Sequence, residues 1–143
     1  MSRANVELIR EGTRLFNGVD DEATVRFISE HSHRDFEVRS RFAQVQGMTY
    51  RGPEGVRQWL RDLRANFDRF ETRLVDVRDL GDRVLALGVL HFRGKGSGVE
   101  MDQPVGNLWD VRDGKAASMD FYGSHAEALE AVGLSERDAH ADS

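Results

Sequence analysis

Residues 52–70 read GPEGVRQWLRDLRANFDRF, and the spacing within them decides how the rest of the chain is built. Val56, Trp59, Leu60, Leu63, Phe67 and Phe70 recur at three- and four-residue steps, which gathers them into one apolar stripe along a helix. Arg57, Arg61, Asp62, Arg64 and Asp68 fall on the opposite, solvated side. Pro53 suits the first helical turn, where its missing N–H would find no partner anyway. The pattern predicts a long amphipathic helix that reaches Phe70.

Downstream, the period changes from helix to strand. Four apolar runs follow, Glu71–Val77, Val84–Phe92, Val99–Val111 and Ala116–Tyr122. They are parted by the turn signals Leu80-Gly81-Asp82, Gly94-Lys95-Gly96-Ser97-Gly98 and Asp113-Gly114. Upstream, a helix from Asn5 to about Asn17-Gly18 precedes a shorter one that Asp20-Asp21 caps and that ends near Ile28. A strand over Ser32–Val38, a loop over 39–47 and a brief strand at Met48-Thr49-Tyr50 complete the first half. A last helix over His125–Val132 is stopped by Gly133. The expected architecture is α+β: a curved, mostly antiparallel sheet wrapped around helices into a cone-shaped α+β barrel with a pocket. One domain is expected over residues 1–134, and the small, polar tail over 135–143 is expected to be disordered.

Composition narrows the partners. The chain has 143 residues, enough for a single core, and a net charge of −5 that argues against nucleic acid. Its arginines are interleaved with acids along helix faces and predict a salt-bridged surface rather than a basic patch. There is no cysteine, which excludes a disulfide framework and a thiol nucleophile. No apolar run reaches the roughly 20 residues that span a bilayer, so no membrane partner is expected and the cytoplasm is the expected location.

The layout and several local words resemble the nuclear transport factor 2-like superfamily, and within it the SnoaL-like branch that includes polyketide cyclases. The words are Asn5-Val6-Glu7, Phe16-Asn17, Tyr50-Arg51-Gly52-Pro53-Glu54-Gly55-Val56, Gly81-Asp82-Arg83-Val84 and Gly96-Ser97-Gly98-Val99-Glu100. Trp109 ahead of Arg112-Asp113-Gly114-Lys115, and Glu127-Ala128-Leu129-Glu130-Ala131-Val132-Gly133-Leu134, close the match over about residues 5–136. These words lie in turns and packing positions. Function on such a fold has to be read from its site.

The resemblance implies that the first strand lines the cone, so that His33 and Asp35, on one face of that strand, become the candidate acid and base. It also removes options. The tyrosine and carboxylic acid of the ketosteroid isomerase oxyanion hole align with Gly12 and Gly106. The two aspartates of the limonene epoxide hydrolases align near Gly88 and Phe121. Expected lining residues are Trp59, Leu63 and Phe67 from the long helix, with Leu90, Phe92, Pro104, Leu108, Met119 and Phe121 from the strands. That lining suits a hydrophobic small molecule. Asp102 shares parity with Pro104, and Gly12 and Gly88 are read as space left for a ligand. His91, Asn107, Trp109 and Val89 are assigned to the outer sheet face, where cover is expected from a second copy in a homodimer. His31 and His33 have no evident third metal ligand, so neither a metal nor an organic cofactor is expected. The expected function is a small-molecule enzyme using acid–base chemistry in a hydrophobic cone, of isomerase, cyclase, dehydratase or hydrolase type. The alternative is a non-catalytic module for binding an apolar molecule or for dimerisation.

Overall fold

The amphipathic helix runs Gly52–Asn66 and stops short of Phe70. Backbone pairing ends it. Phe67 and Arg69 already pair with Gly94 and Arg93 of a neighbouring strand, and the Asn66 carbonyl accepts from Lys95 N–H at 2.9 Å. A register slip between Phe67 and Arg69 accompanies a spacing in the strand that mimics a helical step.

The fold comes from a computed structural model, described for residues 2–18, 20–40 and 49–134. In chain order the elements are α1 (Ser2–Phe16), α2 (Asp21–His31), β1 (Ser32–Ser40), β2 (Thr49–Arg51), α3 (Gly52–Asn66) and β3 (Phe67–Asp79). Then follow β4 (Arg83–Gly94), β5 (Glu100–Arg112), β6 (Lys115–Tyr122) and α4 (His125–Glu130). Met48, the remainder of the expected 39–47 loop beyond Ser40, and the 135–143 tail lie outside the described residues.

The strands form a six-stranded sheet in the order β2-β1-β6-β5-β4-β3. Only β1 and β6 run parallel, and the other neighbours are antiparallel. Among the described residues the edge strands β2 and β3 do not pair with each other, so the sheet is a curved, open cone rather than a closed barrel. Asp113 and Gly114 both have positive φ, 55° and 76°, the backbone that a two-residue hairpin between β5 and β6 requires. The Asp20 side chain accepts from Ala23 N–H at 3.1 Å and caps α2.

Helices α1, α2 and α3 cover the inner sheet face. Ile9, Val25, Ile28, Phe36, Val38, Val56, Leu60 and Val105 are buried there in one core. Arg64 clamps Asp21 through bonds of 3.0 and 2.8 Å, and Arg57 reaches Glu22 at 3.0 and 3.1 Å, so interleaved charges fasten α3 to α2. Each such solvated pair contributes under about 1 kcal/mol. At the other end of α1, the Asn17 side chain accepts from Thr72 N–H and donates to Thr72 O, both at 2.7 Å. It acts as a strand partner that ties α1 to β3.

The outer face carries a second cluster, in which Leu85, Leu87 and Leu108 meet Ala128 and Leu129 of α4. This reverses the expected faces of β5. Register pairs Trp109 with Val84 and Met119, and Leu108 with Leu85 and Asp120. Trp109 and Asn107 therefore point inward, while Leu108 and Pro104 point outward. The reason is that 105–109 is buried at every position, because helices cover both faces, so no alternation marks the inner one. With Trp109 seated in the chain's own core at 9% exposure, the argument for a covering partner on the outer face is left with Val89 alone.

Candidate functional site

A cavity of about 50 Å³ lies between α1, α2 and the inner sheet face. Helix α1 presents Leu8, Ile9, Gly12, Thr13 and Phe16 along one side, and α2 presents Thr24, Phe27, Ile28 and His31 at helical steps. The far walls are Trp59 of α3, Thr72 of β3, Asn107 and Trp109 of β5, and Ser32, Ala116, Met119 and Phe121 of β1 and β6. Stacked rings stiffen these walls. Phe16 lies on Trp59 at 5.4 Å between centroids, and Phe36 on Trp109 at 6.1 Å. Gly12 borders the cavity, and an added Cβ there would come no closer than 3.4 Å to Phe27 Cε1.

Two of the lining hydroxyls are already bonded to backbone. Thr13 Oγ1 donates to Ile9 O at 2.9 Å, and Thr24 Oγ1 donates to Leu15 O at 3.1 Å. Asn107 Oδ1 and Trp109 Nε1 are buried without a hydrogen-bond partner among the described residues. Arg93 Nε is the third such atom, but it has the Asp68 carboxylate at 3.6 Å. Among the described residues no carboxylate lines the cavity. Its single titratable lining group among the described residues is His31, whose ring sits at the mouth, 4.4 Å from that of Phe27.

The expected site residues divide. Trp59, Met119 and Phe121 line the cavity. Leu63 and Leu90 pack on the core without reaching it, and Phe67 meets Phe92 edge-on at 5.0 Å, away from it. Leu108 is on the other side of the sheet under α4. Asp35 is exposed and borders neither this cavity nor the hollow beside His33. His33 borders a separate hollow with Arg34, Pro53 and Lys115, and its Nε2 lies 2.8 Å from Arg112 O. The structure thus does not bring His33 and Asp35 to the cavity wall. Phe36 and Val38 take inward positions of β1, and Glu37 and Arg39 face outward, beyond a register shift between Ser32 and Glu37. Glu37 and Arg39 engage an outer-face network with Ser118 and Asp120.

Two glycine readings also change. A Cβ at Gly88 would lie 2.7 Å from Arg73 O, so that glycine permits close strand approach rather than leaving space. A Cβ at Gly106 would overlap Ala128 Cβ, so the ketosteroid isomerase acid has no counterpart pointing inward from residue 106. The inward neighbour is Asn107. His31 and Asn107 were missed as site residues. His31 had a detectable signal, since it continues the Thr24, Phe27, Ile28 face of α2 by one further step once that helix is extended to residue 31.

The family model of the SnoaL-like domain matches residues 13–119. The chain belongs to the SnoaL-like domain family. No curated protein matches its sequence. Among solved structures, it is similar to a protein of ketosteroid isomerase-like fold from Catenulispora acidiphila, in complex with trimethylamine. That likeness has 20% identity and a TM-score of 0.72, and covers 90% of this chain and 93% of that one. TerC, co-crystallized with polyporic acid, is 21% identical with a TM-score of 0.72, over 89% and 96% of the two chains. A candidate polyketide cyclase of Xanthomonas campestris pv. campestris is 23% identical with a TM-score of 0.69, over 92% and 98%. At these identities the SnoaL-like kinship with solved structures is one of fold. No described helix is long and apolar enough to cross a membrane, and no group of three or more potential metal ligands occurs among the described residues.

Proposed function

We propose that this SnoaL-like protein is a small-molecule enzyme of cyclase or isomerase type that takes an apolar, ring-containing substrate into the cavity under α1 and α2. The observation that carries the reading is the lining itself: aromatic and aliphatic walls, with one titratable side chain, His31, at the mouth. Such walls desolvate a ring, and a histidine is the side chain that most readily gives or takes a proton near neutral pH. His31 is accordingly the acid or base of this reading, in place of His33 and Asp35. The polyporic acid co-crystallized with TerC is in keeping with it.

The cavity of about 50 Å³ is smaller than the roughly 150 Å³ that holds benzene in an engineered core. Substrate entry therefore requires Phe27 and His31 to swing outward with the exposed edge of α2. The test is a thermal-shift panel of aromatic ketones and epoxides, followed by turnover assays on whichever compounds stabilise the protein. His31→Gln is expected to lower kcat by about 10²-fold or more while binding persists, and Asp35→Asn is expected to change nothing. Wild-type turnover by His31→Gln removes His31 from the chemistry. Binding without turnover identifies a non-catalytic binding module, and no stabilisation by any compound removes the pocket reading altogether.

A further inference from the structure

Asn107 and Trp109 occupy successive inward positions of β5, a step of about 7 Å along the strand. They are 8% and 9% exposed, and both line the cavity. An amide oxygen and an indole N–H shut away from water without partners are destabilising, yet both stand on the same wall of the same void. The rest of that void is apolar apart from His31, the hydroxyls of Ser32 and Thr72, and those of Thr13 and Thr24, which are already bonded to backbone. Resting on the pocket reading above, we infer that Asn107 and Trp109 select the ligand, which is an apolar molecule bearing a hydroxyl or carbonyl oxygen on the edge that faces β5. Trp109 Nε1–H donates to a ligand oxygen. The Asn107 amide accepts from a ligand hydroxyl through Oδ1, or donates through Nδ2 after rotation about its last bond. A purely hydrocarbon ligand fills the same space but leaves both groups unpaired.

Phenol and toluene test this, because they are alike in size and differ by a hydroxyl in place of a methyl. A plain apolar cavity prefers toluene, since phenol leaves water less readily. Calorimetry on the wild-type protein is expected to find phenol bound at least as tightly as toluene. In Asn107→Leu and in Trp109→Phe the phenol-to-toluene affinity ratio is expected to fall about five-fold each, the effect of one neutral hydrogen bond. Toluene preferred by the wild-type protein, with the ratio unmoved in both variants, overturns the inference while leaving the pocket reading standing. Binding of neither compound overturns both. A second measurement needs no ligand: Asn107→Leu is expected to raise the melting temperature by about 3 °C, because an unpaired buried amide is removed. A fall of that size means the amide is satisfied within the free protein, and also overturns the inference.

Discussion

The two faces of the one sheet are built differently. Under α4 the outer face is closed tightly enough that Gly106 has no room for a Cβ against Ala128. Its buried carboxylate, Asp120, is held by Arg39 through two bonds of 2.8 and 2.9 Å, with Ser118 on the same guanidinium at 3.1 Å. Under α1 and α2 the inner face keeps a cavity, a glycine with space beside it, and two buried polar atoms without partners. Interiors are normally packed to crystal-like density with their polar groups bonded. A fold that meets both conditions beneath α4 and relaxes both around the cavity under α1 and α2 has separated a part that holds it together from a part that receives a ligand.

The largest effect expected from breaking this contrast is at Gly106. Gly106→Ala must push α4 off the strand or bend the strand away, and is expected to cost about 2 kcal/mol, typical of overpacking in a well-filled site. Urea denaturation would read this as a lower midpoint at unchanged slope. A cost under about 0.5 kcal/mol would mean that α4 docks loosely and the two faces are not so different.

The opposite sign is expected from the same substitution on the other face. At Gly12 a Cβ meets only Phe27 at ordinary contact distance, and alanine is favoured over glycine inside a helix by about 1 kcal/mol. Gly12→Ala is therefore expected to stabilise the protein by about 0.5–1 kcal/mol while weakening the binding of any ligand that enters the cavity. A loss of stability would show that the space beside Gly12 is not available.

How much of this was legible in the sequence follows from the same contrast. Helix α3 could be read to its apolar stripe because one side of it is solvated. The hairpin at Asp113-Gly114 could be read because its backbone needs residues that tolerate positive φ. The SnoaL-like kinship rested on such turn and packing words, and so the fold was legible nearly throughout. The site was not. On β5 the run 105–109 is buried on both sides, so periodicity gave no sign of which residues face the cavity, and a one-residue choice exchanged Leu108 for Trp109. On β1 the decisive residue was Phe36, 1% exposed. Its inward position and the register shift between Ser32 and Glu37 leave His33 and Asp35 off the cavity wall, but a polar strand beside a parallel neighbour offers too few apolar residues to fix parity. The boundary at Asn66 was misplaced for a related reason, because Phe67 and Phe70 satisfy a helical step and, with a register slip, a strand face.

The smallest effect belongs to the outer face beyond α4, where pairing takes place in solvent. His91 Nδ1 lies 2.6 Å from Asp102 and Nε2 lies 3.1 Å from Glu100, with Glu71 opposite on β3. The bond to Asp102, then that to Glu100, raises the His91 pKa above its ordinary 6.5. A histidine whose pKa is raised in the folded state adds stability in full below the unfolded value, and loses it as pH rises through the folded one. The wild-type protein is thus expected to exceed His91→Gln in melting temperature near pH 5.5, where the imidazolium and both carboxylates are charged. The gap should close above neutral pH, as the imidazolium loses its proton. Salt should shrink it, because these charges are exposed. A gap that persists unchanged at pH 8.5 would mean that His91 holds the strands by packing or by neutral hydrogen bonds. The outer face would then be tied together beyond α4 without charge, as Leu85, Leu87 and Leu108 are beneath Ala128 and Leu129.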